Sequence, residues 1–192
     1  MSRRILLVLT IFVLGIASLM AQEASDSCLI LMSPPTEYGV KIDTPTGGLN
    51  LGNVQLDTVY FSSSTVGIST VTNSGSVVSD WKIRGVALDT WQLYWGGGLD
   101  GVQKDSATIA AILTSTTTNG GTFGSNDMVM TSAGSMTGNS YSSDGSGVDG
   151  NDVPAGGQRR IHFRIHTPNQ TTVTTQQRFR IIIEAYSADT FN

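Results

Sequence analysis

The chain's two histidines, His162 and His166, stand four residues apart in Ile161-His-Phe-Arg-Ile-His166. On a helix that spacing would bring both rings to one face, as in a zinc protease. Phe163 occupies the place of the general-base glutamate, and Ile161, Phe163 and Ile165 alternate with Arg160, His162, Arg164 and His166. Alternation means a strand, where four residues span about 13 Å and two imidazoles hold one zinc poorly. The expected reading is an exposed strand face, not a metal site. Gly145-Ser-Gly-Val-Asp-Gly150 matches Gly-x-Gly-x-x-Gly by letter but lacks the preceding strand and following helix of a dinucleotide site. Cys28 lies in an apolar run before Pro34 and Pro35, a poor setting for a thiolate. Neither a nucleophile elbow nor a phosphate loop occurs. No catalytic residue and no metal site are assigned, and enzyme activity is not expected.

Binding chemistry has three weaker candidates. Asp144, Asp149, Asn151 and Asp152 could offer oxygen ligands to calcium, though their spacing fits neither an EF-hand nor a β-roll repeat, and solvated loop acids are the plainer reading. No other cofactor is expected. Tyr94 and Trp95 could stack on sugar rings, but Trp91, Leu93 and Trp95 share a face as core residues would. Arg160, Arg164, Arg178 and Arg180 would gather into a cationic docking patch if the last two strands paired. The plainer reading of those arginines is a solvated face that discourages edge sticking.

The elements that position these residues are strands. Gly, Ser and Thr number 22, 22 and 23 of 192 residues, while Lys and Glu, which usually fill helix surfaces, number three each. Short strands are expected at Tyr38–Ile42, Leu49–Leu56, Val59–Ser62 and Val66–Thr72, with a turn at Asn73-Ser-Gly75. In Val77–Val86, Trp81 and Ile83 face one way and Lys82 and Arg84 the other, the period of a half-buried strand. Residues 105–113 offer the one plausible helical turn, with a strand nearly as well supported. Residues 114–157, rich in Thr, Ser, Gly, Asn and Asp, read as a long mobile excursion holding one short strand. Arg160–His166 and Gln177–Tyr186 both alternate, and either pair as a hairpin or face each other across the core. The predicted fold is all-β: a single antiparallel β-sandwich spanning 38–192, with barrel closure as the alternative.

Leu49-Asn-Leu-Gly-Asn-Val54 followed by Val71-Thr-Asn-Ser-Gly75 resembles immunoglobulin-like modules of the abnormal-spindle/hydin type. The segment Ile161–Ala185 also resembles the last hairpin of exported bacterial sandwich proteins without assigned activity. The first match covers about 27 residues. These resemblances imply an immunoglobulin-like sandwich used for structure or contact, and they transfer no catalytic residue.

Export is read from the first 21 residues. Arg3 and Arg4 precede the apolar stretch Ile5–Leu19, and Ala21 offers a small residue at the cut, as in a cleaved secretory signal. Losing those two arginines makes the net charge of −4 more negative by two, which gives no general attraction to nucleic acid. No membrane insertion is expected after cleavage. Residues 22–37 form an N-terminal segment in which Cys28, Leu29, Ile30, Leu31 and Met32 are apolar on both faces. Such a strand could complete its own sheet or enter a neighbour's. The expected protein is a secreted or cell-surface structural or adhesive component. Its partners would be its own copies or other surface components, with a secreted carbohydrate-binding module as the alternative.

Overall fold

A computed structural model describes residues 36–43, 48–62, 69–115, 122–137, 140–142 and 148–188. The signal segment, Cys28–Met32 and Asp144 lie outside the described residues. The described residues form nine strands in two sheets: β1 (Val40–Asp43), β2 (Val59–Phe61), β3 (Ser69–Asn73), β4 (Ser79–Ala87), β5 (Gln92–Leu93), β6 (Ser106–Thr114), β7 (Gly134–Ser135), β8 (Gln158–His166) and β9 (Phe179–Ser187). The larger sheet runs β1-β3-β8-β6-β5, with β2 also on β8, and the smaller runs β7-β4-β9. Every pairing between these strands is antiparallel except β5 with β6.

Alternation correctly marks β4, where Trp81 and Ile83 are buried while Lys82 and Arg84 are half-buried on the other face. It does not mark β6. All nine residues of β6 are buried, so a chain covered on both faces shows no period of two. The β-branched Thr108, Ile109, Ile112 and Thr114 settle the segment as a strand, and the helical turn does not form. Leu49–Leu56 forms no strand either: Gly52 takes φ +66° and donates its N–H to the Asn50 side chain, which turns the chain. Leu49 and Leu51 still pack against the core.

β8 and β9 do not form a hairpin. β8 is flanked by β6 on one side and by β2 and β3 on the other, whereas β9 pairs with β4 over nine residues. Ile161 and Ile165 meet Ile183 in one core cluster, so the two strands face each other across the core. Their connection is pinned as an arch. The Asp105 carboxylate accepts bonds from the Thr172 N–H and from the Thr171 and Thr172 hydroxyls, and the Trp91 indole N–H donates to Thr171.

The described parts of the 114–157 excursion do not stand off in solvent. Val129, Met136, Tyr141 and Val153 are buried in the core. Val129 N–H donates to Ile109 and Leu113 N–H to Tyr141, covering the β6 edge beyond β5. Gly85 N–H donates to Met130, Met136 N–H to Trp81, and Trp81 N–H to Gly150, so the same segment lines β4. One side of the sandwich is thereby closed. Gly85 makes that closure possible, since a Cβ there would lie 2.6 Å from Leu93 Cδ1 and 3.0 Å from Val129 Cγ1.

Candidate interaction surfaces

The outer face of β8 carries the histidines, and it is not the exposed face expected from alternation. His162 is fully buried, and Arg164 and His166 are nearly so. Their neighbours on β6 in register are Ile112, Ala110 and Thr108, all buried as well. Part of the cover comes from residues 94–101. The Arg164 guanidinium bonds the Leu99 carbonyl and the Asp100 carboxylate, and the Thr108 hydroxyl lies within bonding reach of the Tyr94 and Gly101 carbonyls. His162 Nε2 is 3.0 Å from the Thr114 hydroxyl, and His166 Nε2 is 3.2 Å from an Asp57 carboxylate oxygen. Alternation reports that two faces differ; it cannot report that both are covered.

The four arginines are not brought together. Arg160 and Arg164 belong to the larger sheet, with Arg160 bonding the Thr70 hydroxyl. Arg178 leads into β9 and Arg180 lies on it, in the smaller sheet. A shared patch required β8 to pair with β9, and the arch separates them. The Asp89 carboxylate accepts the Arg178 backbone N–H and two guanidinium bonds, and the Arg178 side-chain bond is the main reason its pKa lies below the ordinary value. Arg180 is exposed, and while its backbone lies in the ladder opposite Val86, its guanidinium has no hydrogen bond or ion pair among the described residues.

The described calcium candidates bond within their own loop and to β4. The Asp149 carboxylate accepts the Asn151 N–H at 3.1 Å, and the Asp152 N–H donates to the buried Asp80 carboxylate at 2.8 Å. Asn151 Nδ2 donates to Asp152, and Arg159 Nε donates to the Asp149 carbonyl. Among the described residues, no group of three or more His, Cys, Asp or Glu is placed to hold a metal.

Tyr94 and Trp95 diverge. Beyond Leu93 the strand stops, so the shared core face of Trp91, Leu93 and Trp95 is not realised; only Leu93 is buried. The Tyr94 ring folds onto the glycine loop, with its hydroxyl 2.9 Å from where a Gly96 Cβ would be. Trp95 is 42% exposed.

No family model, curated protein or solved structure matches this chain.

The arrangement that sequence reasoning missed is a pair of neighbouring sheet edges, β9 and β1. β9 pairs with β4 on one side, and among the described residues its other edge has no strand partner. β1 ends the larger sheet in the same way. Half-buried Val40 and Ile42 of β1 and Phe179, Ile181 and Ala185 of β9 pack on the core along these two edges. A shallow groove of about 510 Å³ among Thr36, Tyr38, Val78, Ser187 and Ala188 sits at one end of β9. The alternation of Gln177–Tyr186 identifies a strand, but nothing local says whether a strand is an edge.

On the outer face of the β4–β9 pair the charges are mostly neutralised. Glu184 accepts from the Tyr186 hydroxyl at 2.8 Å, the main reason its pKa lies below the ordinary value, and from Arg84 Nε at 2.9 Å, which lowers it further. The Lys82 ammonium lies 4.5 Å from the Tyr186 ring centroid.

Proposed function

We propose that this chain is an exported structural or adhesive surface protein with an immunoglobulin-like sandwich, whose copies join by strand addition at an open sheet edge. The observation that carries the reading is β9. It is a nine-residue strand, Phe179–Ser187, with no proline, and among the described residues it pairs with a strand, β4, on one side only. Natural proteins usually blunt such an edge with prolines, bulges, lysines or brevity, because its unpaired N–H and C=O groups recruit another strand. β9 is long and has no proline, and of these devices it carries only charge, at Arg180 and Glu184. Two donors are candidates by sequence: the apolar Cys28–Met32 and β9 of a second copy. Contact rather than chemistry is the proposed mechanism.

Light scattering of residues 22–192 tests the reading. The expected result is a mass above that of one chain that rises with concentration. A monomer at every concentration would remove it.

Trp95 supports the alternative of a carbohydrate-binding module, because it is an exposed indole beside the Gly96–Asp100 loop. Retention on a polysaccharide column that is lost in Trp95→Ala without unfolding would favour it.

A further inference from the structure

We propose that the strand received by β9 is β9 of a second copy, paired antiparallel about a two-fold axis at Ile182, so that the two smaller sheets become one continuous six-stranded sheet. The inference rests on the strand-addition reading and names its partner.

The side chains of β9 fix the register. Phe179, Ile181, Ile183 and Ala185 face the core, which leaves Arg180, Ile182, Glu184 and Tyr186 on the outer face. A two-fold antiparallel pair places each residue opposite one equally far from the axis. With the axis at Ile182, Arg180 stands opposite Glu184 of the other copy, twice, and Ile182 stands opposite Ile182. On the inner face Ile181 meets Ile183 and Phe179 meets Ala185, so the apolar seam of each core runs on into the next. Moving the axis one residue either way sets Arg180 opposite Tyr186 or Ile182 and loses both ion pairs.

Charge makes this register specific. The Arg180 guanidinium is exposed with no ion pair or hydrogen bond among the described residues, while those of Arg178 and Arg84 are already bonded to Asp89 and Glu184. Charges on an edge strand ordinarily discourage pairing. Here the two charges are so spaced that a two-fold pair turns them into complements, and like charges directly opposite would oppose it. Glu184 keeps its bond to Arg84, so each dimer carries two Arg–Glu–Arg clusters.

Sedimentation velocity on residues 22–192 and three variants tests the proposal. Wild type is expected to form a concentration-dependent dimer. Arg180→Glu, and separately Glu184→Arg, set like charges opposite each other and should weaken it by about tenfold or more. An equimolar mixture of the two variants restores opposite charges at both positions and should recover dimer. Ile182→Lys sets two ammonium groups against each other at the axis and should weaken the dimer in a way that salt relieves, which serves if Glu184→Arg disturbs the fold by circular dichroism. A chain starting at Glu37 should dimerise as wild type does. Loss of dimer in that shortened chain would give the donor role to residues 22–36 and overturn this inference while leaving strand addition in place. Wild-type monomers would remove both. Dimers indifferent to Arg180→Glu and Ile182→Lys, or a mixture that fails to recover, would overturn the β9 pairing alone.

Discussion

Asp127 holds the start of the excursion by a single carboxylate. One oxygen accepts the Gly124 N–H and the other the Tyr141 N–H, each at 2.6 Å, and the residue is buried. Both donors sit in the stretch that composition marked as a loose loop. Asp127→Ala would leave two backbone donors unsatisfied, and urea unfolding should show a loss of about 2–4 kcal/mol. Burial raises the Asp127 pKa, against the two N–H bonds that lower it. A raised folded value means that its contribution is fullest below the ordinary 3.8 and declines as pH rises through the folded value. Asp89, Asp105 and Glu184 have the opposite sign. Their folded values lie below 3.8, 3.8 and 4.5, so what they contribute is present above those values and lost as pH falls. The fold should therefore weaken below about pH 4. Asp127→Asn, which removes the one opposing group of these four, should steepen that loss in pH-dependent unfolding. A flatter acid limb would contradict this assignment.

The elements were legible where one face differs from the other. β4 and β9 show their period because one side meets the core and the other carries Lys82, Arg84, Arg180 and Glu184. β6 was ambiguous because Ile109, Ala111 and Leu113 meet the core while Thr108, Ala110 and Ile112 are covered as well. Leu113→Ala in this strand should cost about 2–5 kcal/mol, since the cavity would open at a fully buried site. Gly85→Val is expected to be worse placed still. A side chain at Gly85 must enter space held by Leu93 and Val129, so the excursion would be pushed off β4 with a loss of at least 1–3 kcal/mol, roughly. Faster proteolysis within residues 122–137 in Gly85→Val would locate the damage. If Gly85→Val instead left stability and cleavage unchanged, the closing contact would not be what holds that side.

At the scale of the molecule, the excursion on one side and the arch of residues 167–178, held by Asp105 and Asp89, help join the two sheets. On the opposite side the edge strands β1 and β9 lie close to each other, and the proposed strand addition would take place at β9. Export predicts that the protein recovered outside the cell begins near Gln22 by intact mass; a chain still carrying Arg3 and Arg4 would argue against the secretory reading. Composition, by itself, determined the all-β class, because a chain short of Lys and Glu and rich in Thr, Ser and Gly supports strands and turns. Local period determined which residues of β4, β8 and β9 share a face. The tertiary structure alone decided that His162 and Arg164 are buried, that the four arginines divide between two sheets, and that β9 ends its sheet among the described residues. Each of those depends on which strand lies next to which, and that is fixed by contacts between residues far apart in sequence, such as Asp105 with Thr172 or Trp81 with Gly150.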